Sequence, residues 1–311
     1  MFATLSVLFG SWVTRIPDVM DKLALSEGEF GLALLGISVG SLVTMPLTPM
    51  VMKRFSAPKT VIVSSWLCCI VFILPVIAPT YWLLVVALVA VGMVNGILDV
   101  AVNAATAAVE REQGLVIMSS CHGMFSLGGV VGATLGSLLA GWRVPIFQHL
   151  LLVGFGMLII NLFVFKTLNQ LPKADSEEAH FAIPTKALLG LSLIGFCIMI
   201  GEGAVADWSA IYLRDVIQSS AFLVGLGFAG FNLTMTIGRF MGDWVVVWIG
   251  SKNLVKWGSL VGGFGILVSM FSTVPLFAIL GFTLVGVGFQ LLFQLFLGRP
   301  LMFQAYHLAL G

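Results

Sequence analysis

The sequence predicts an all-α polytopic membrane protein, and three observations carry that prediction. Of 311 residues, 59% are hydrophobic and 9% are charged, where a soluble domain carries about 25% charged residues and needs them on its surface. Apolar stretches of about twenty residues, the length that crosses a bilayer as a helix, recur with short polar breaks. Basic residues fall unevenly between alternate breaks, the bias that fixes membrane orientation. The net charge of +1 points to no nucleic-acid partner. Cys68, Cys69, Cys121 and Cys197 lie inside apolar runs without CxxC spacing or paired histidines, so neither a disulfide framework, a zinc site nor another cofactor is expected.

Ten spans are expected, at 2–13, 30–52, 60–78, 82–105, 116–141, 145–165, 187–209, 223–248, 254–273 and 276–297. The first is too short to cross alone, because Arg15 follows it closely. It lacks the basic start and cleavage site of a signal peptide, so it reads as a helix missing its beginning. One set of alternate breaks holds Lys53, Arg54, Lys59, Arg111, Lys166, Lys173, Lys186, Arg239, Lys252, Lys256 and Arg299. The other holds Arg15, Lys22, Arg143 and Arg214. Eleven against four places the first set, and the N-terminus, in the cytoplasm of a cell with this protein in its inner membrane.

The longest polar break, "KTLNQLPKADSEEAHFAIPTK" at 166–186, follows six spans and reads as a cytoplasmic linker between halves at 1–165 and 187–311. Sliding the first half by 194 residues lays Gly31 and Leu32 over Gly225 and Leu226, with the same order of span and basic break. Parallel halves of this kind are a common plan among secondary transporters.

Four further stretches carry a resemblance. "GRFMGDWVVVWIGSK" from Gly238 looks like the cytoplasmic loop motif of the major facilitator superfamily; its counterpart "TPMVMKRFSAPK" has Thr48 and Pro49 where the motif has Gly and Asp. "GILDVAVNAATAAVERE", "SSCHGMFSLGGVVGA" and "GEGAVADWSAIYLRD" are similar to a bacterial branch of that superfamily near the fucose-permease-like sugar transporters. The resemblance covers about residues 5–288 and implies a major-facilitator-type fold of two six-helix halves working by alternating access. About ten of twelve spans are present here, and the tail after Gly288 departs from the family pattern. A truncated or frame-shifted product is therefore expected, lacking the last two spans.

Polar residues inside the spans are the candidates for a site. Asn95, Asp99 and Asn103 recur every four residues and form one stripe on a helix. A carboxylate at that depth costs about 2.5–3.5 kcal/mol on insertion scales, so the stripe should face a cavity or bond to neighbouring helices. His122 follows on the next span at a similar depth, within reach of Asp99, and imidazole titrates near neutral pH. Gly128, Gly132 and Gly136 behind it read as a close helix contact. Glu202 and Asp207 stand five residues apart, about 140° around a helix and about 7.5 Å along it, so they do not form one couple. Glu202, between Gly201 and Gly203, is expected at a broken or flexible point of its helix as the substrate- or proton-binding acid. Asp207, beside Trp208, either joins it or reaches water at the outer edge. Asn232 is a further contact candidate. The loop resemblance makes Arg239 and Asp243 a conformational latch.

The function expected is secondary active transport of a small polar solute, a sugar or related compound, by alternating access and coupled to protons. The partners are that solute, protons and the lipid bilayer, with no nucleic acid and a monomeric chain. The alternative is an inactive fragment or a membrane sensor. Drug efflux is disfavoured because the fifth span lacks a Gly-Pro pair, and an enzyme because HExxH, GxSxG and metal-ligand clusters are missing.

Overall fold

The computed structural model describes residues 1–168 and 186–297, and every regular element among them is helical. Nearly all of the expected linker at 166–186, and the tail after Leu297, lie outside the described residues. In order the elements are α1 (Phe2–Leu23), α2 (Glu27–Thr44), α3 (Thr48–Phe55), α4 (Ala57–Val71), α5 (Leu74–Ile77), α6 (Tyr81–Gln113), α7 (Met118–Gly141), α8 (Ile146–Leu168), α9 (Lys186–Ile211), a π turn (Tyr212–Val216), α10 (Leu226–Ile249), α11 (Ser251–Phe271) and α12 (Pro275–Leu297). Eight stretches among the described residues are long and apolar enough to cross a membrane. The remaining two long helices, α1 and α10, have 22 and 24 residues.

Local chemistry explains the boundaries. Ser26 and Glu29 form a reciprocal capping box that starts α2. The expected span 30–52 breaks at residues 45–47, around Pro46, and Pro49 in the first turn of α3 cannot donate a backbone hydrogen bond. Gly114, at φ 66°, ends α6 in the left-handed conformation that glycine adopts without strain. α6 has 33 residues and so runs about 50 Å, longer than a bilayer core of about 30 Å.

Two expectations are corrected. The first span is not cut short at Arg15: α1 continues through Arg15 and Pro17 to Leu23. It can do so because Arg15, only 3% exposed, is fully engaged. Its Nε donates to His149 Nδ1 at 3.0 Å, its Nη2 to the Val144 carbonyl at 2.7 Å, and its Nη1 to Asp18 Oδ2 at 3.3 Å. Nor is the helix broken at Glu202. α9 runs unbroken through Gly201 and Gly203, and its irregular turn comes later, at Tyr212–Val216. A Cβ on Gly201 would lie 2.3 Å from the Phe289 ring, so this glycine admits an aromatic side chain from α12.

Packing rests on small residues. The principal contacts are α1 on α7, α2 on α6, α11 on α12, and α10 on both α12 and α7. A Cβ on Gly132 would lie 2.3 Å from the Val7 carbonyl, and one on Gly92 would lie 2.0 Å from the Ile37 carbonyl. Without a hydrophobic drive between helices in lipid, such backbone approach supplies the dispersion contacts that hold them.

Candidate functional site

Arg239 organises the site. It lies thirteen residues into α10, about 20 Å along the helix, rather than at a cytoplasmic edge. Its side chain is 6% exposed. Nη2 lies 3.5 Å from Glu202 Oε1 on α9, and that carboxylate is 33% exposed. Nη1 donates to the Ser126 hydroxyl and, at 3.3 Å, to the His122 carbonyl, both on α7. The guanidinium also stands 4.9 Å from the centroid of the Phe293 ring on α12. The Ser119 hydroxyl of α7 donates back to the Arg239 carbonyl at 2.6 Å.

One cation thus ties together α7, α9, α10 and α12. Burying a guanidinium is costly unless charge and hydrogen bonds compensate it; here a carboxylate, a hydroxyl, a carbonyl and an aromatic face do so in part, while Nε has no hydrogen-bond partner among the described residues. Among the described residues, removing the charge on Glu202 would leave the cation with neutral partners only.

Three of the sequence-predicted residues, His122, Glu202 and Arg239, are therefore brought together. His122 contributes its backbone carbonyl, while its ring is tilted against Phe2 with centroids 5.3 Å apart. The expected latch of Arg239 with Asp243 falls on a side chain outside the described residues. Among the described residues the ion-pair partner of Arg239 is Glu202. An arginine well inside an apolar helix needs a carboxylate at the same level.

The other candidates lie apart. Asn103 Nδ2 donates to Asp99 Oδ1 at 3.2 Å and to the Asp99 carbonyl at 2.9 Å, while Asn95 Oδ1 accepts from Cys68 Sγ of α4 at 3.5 Å. The stripe is thus partnered within α6 and towards α4. Among the described residues no direct hydrogen bond joins Asp99 to His122, which was expected within reach of it or of a shared water. Asn232 is buried, donates to the Phe228 carbonyl at 3.0 Å and presses on α7, where a Cβ on Gly129 would lie 2.9 Å from its side chain. Asp207 does not lie at the end of its helix, since α9 and the π turn continue nine residues beyond it to Val216. Trp208 lies over Gly31 of α2, 3.5 Å from where a Cβ there would stand.

Sequence reasoning missed several groups. Arg15 and Arg239, counted with the loop cations, are buried inside α1 and α10; without these two the charge bias is ten against three, with the same sign. Gln290 on α12 is buried and neither of its amide atoms has a hydrogen-bond partner, and Gln294 Nε2 donates to the Gly238 carbonyl at 3.0 Å. At the other end of α9, Arg214 Nη1 lies 2.7 Å from Asp21 Oδ2 of α1. The signal for the first pair was available: an arginine and a glutamate, each inside an apolar run, demand each other. No such signal marked Asp21 and Arg214, which stand 193 positions apart. Among the described residues no group of three His, Cys, Asp or Glu side chains is arranged to hold a metal ion.

Comparison with known proteins fits this geometry. The sequence profile of the Major Facilitator Superfamily matches residues 1–299. The chain is 31% identical over 300 residues to the uncharacterized transporter y4wD of Sinorhizobium fredii (strain NBRC 101917 / NGR234), covering 94% of this chain and 78% of that one. It is 30% identical over 278 residues to an uncharacterized MFS-type transporter of Yersinia pestis, YPO1221/y2967, covering 89% and 72%. Among solved structures, a bacterial homolog of the human lysosomal transporter Spinster, in an inward-facing and occupied conformation, matches with a TM-score of 0.71 at 14% identity over 94% of this chain and 70% of that one. The chain belongs to the Major Facilitator Superfamily and is a multi-pass membrane transporter protein, not an enzyme.

Proposed function

We propose that this member of the Major Facilitator Superfamily is a proton-coupled secondary transporter of a small polar solute, a sugar or related compound, and that Glu202 and Arg239 are its coupling pair. The single observation that carries the reading is the position of Arg239: one buried cation on α10 bonds to α7 and α9 at once. The halves at 1–165 and 187–311 meet there, because α7 belongs to the first and α9 and α10 to the second. Packing supports the repeat: the second long helix of each group packs on the fourth, α2 on α6 and α10 on α12.

The mechanism follows from charge balance. With Glu202 ionised, the pair holds α9 against α10. A proton on Glu202 removes the electrostatic partner and leaves Arg239 with Ser126, the His122 carbonyl and Phe293. The two protonation states therefore stabilise different arrangements of the halves, and a ligand or proton shifts an equilibrium only through such a difference in affinity. The charge bias supports a cytoplasmic N-terminus in the inner membrane, and the chain is read as a monomer.

The test is uptake of a panel of radiolabelled monosaccharides and polyols into proteoliposomes over a series of external pH values, with luminal pH followed in parallel. Wild-type protein should take up at least one solute, with acidification of the lumen. Glu202→Gln should reconstitute normally and retain solute exchange, but lose the pH dependence of net uptake. An unchanged pH profile in Glu202→Gln removes the coupling role.

A further inference from the structure

A cavity of about 600 Å³ opens on the outer face of the first half, between α3, α4, α6 and α8. Its volume is within the range of ligand pockets, about 300–1,000 Å³. Val63, Trp66 and Leu67 of α4, Ile97 of α6 and Phe165 of α8 form its walls, with Lys59 at one end. Trp66 and Phe165 stack at 5.9 Å across it. Two hydroxyl residues also line it, but both are spent on the backbone: Thr60 donates to the Ser56 carbonyl at 2.8 Å and Ser64 to the Thr60 carbonyl at 2.6 Å. Apart from Lys59 and the indole N–H of Trp66, which has no hydrogen-bond partner among the described residues, the wall is apolar, and none of its residues belongs to the Glu202–Arg239 pair.

The two ends of the groove differ. From Leu67 to Lys59 it follows α4 for about 12 Å. At the Lys59 end the chain carries Lys53, Arg54 and Lys59, all exposed and without an ion-pair partner among the described residues. A ligand with a long apolar body and a negative head fits both ends, and the bilayer supplies one. We propose that this groove is a binding site for an anionic phospholipid, one acyl chain lying along α4 and the phosphate facing Lys53, Arg54 and Lys59.

The physical basis of selectivity is the head, not the tail. A chain leaving bulk lipid for an apolar groove gains little, because lipid tails are as apolar as leucine. Each basic residue close to an anionic headgroup is worth about a fivefold change in affinity. The groove thus sets where the lipid sits, and the cations decide which lipid it is.

The experiment is native mass spectrometry of the full chain, delipidated in detergent and titrated with phosphatidylglycerol or phosphatidylcholine. The wild type should retain phosphatidylglycerol at least tenfold more tightly, and 0.5 M salt should erase most of that preference. The triple variant Lys53→Gln, Arg54→Gln, Lys59→Gln changes exposed side chains alone and should bind the two lipids equally. Leu67→Phe narrows the groove and should weaken retention of both; an independent probe is the part of the emission of the eight tryptophans that brominated phosphatidylglycerol quenches and that Trp66→Phe removes, and it should fall with it. Equal retention of both lipids by the wild type, preference unchanged in the triple variant, or dimerisation in place of lipid retention would each overturn the assignment.

Discussion

Two buried arginines in this molecule teach opposite lessons. Arg15 and Arg239 are 3% and 6% exposed, and each sits inside a membrane helix that its charge alone would forbid. Arg15 takes its partners from its own helix, from the turn before α8 and from the first turn of α8: Asp18, the Val144 carbonyl and His149. His149 Nδ1 accepts from Arg15, so the ring is neutral with its proton on Nε2, and that atom has no partner. Arg239 instead spans α7, α9 and α12, drawing on both halves. The first network joins α1 to the start of α8. Under the proposed alternating access the second would be remade as the proposed halves move. A buried charge serves as a staple or as a switch according to whether its partners travel with it.

The largest effect should come from the switch. Arg239→Ala should abolish net uptake, a loss of more than about a hundredfold, since truncating one member of a buried charge pair costs about 3–5 kcal/mol. Neutralising both members, as Glu202→Gln with Arg239→Gln, should restore membrane abundance and thermal stability towards wild type without restoring uptake. Detergent thermal-shift assays on the four proteins of the cycle measure this. Strict additivity would mean that the pair is not coupled.

Arg15→Leu should do the reverse. Loss of its charged hydrogen bonds should lower stability by about 2–3 kcal/mol, read as a reduced Tm and lower abundance. Uptake per folded molecule should stay within about twofold of wild type if the network does not change between states. Uptake lost at an unchanged Tm would erase the distinction between the two arginines.

The smallest effect concerns the pair that joins the halves at the far end. Asp21 and Arg214 are partly exposed, and such pairs contribute about 0–1 kcal/mol. Asp21→Asn should leave Tm unchanged and raise the labelling rate of a cysteine placed at Asp207 from the outer side by a few fold. An unaltered rate would mean that the contact does not help to hold that end closed.

Much of this was legible before any coordinates. An apolar period of about twenty residues fixed the class, and the glycine repeat 128, 132, 136 marked a close helix contact, because only small residues let backbones approach within lipid; that its partner is α1 came from the structure. Glu202 and Arg239 were both identified, but in separate roles. A motif resemblance drew Arg239 to a loop, and sequence offers no depth coordinate to correct that. The continuation of α1 past Arg15 was hidden for a related reason. A charge ends an apolar run only if it remains unsatisfied, and its satisfaction came from His149, 134 positions away.

By itself, then, the sequence determined that the chain is helical, that it crosses a membrane several times, and which few polar residues stand inside the spans. These are properties of composition and local period, set by the need of every backbone group in lipid to bond within its own helix. Only the tertiary structure decided which of those polar residues meet. Pairing Glu202 with Arg239, partnering Asp99 with Asn103, pressing Asn232 against Gly129 and joining Asp21 to Arg214 depend on helix rotation and depth. These are set by the sum of many small-residue contacts between helices distant in sequence, and no single stretch of chain contains them.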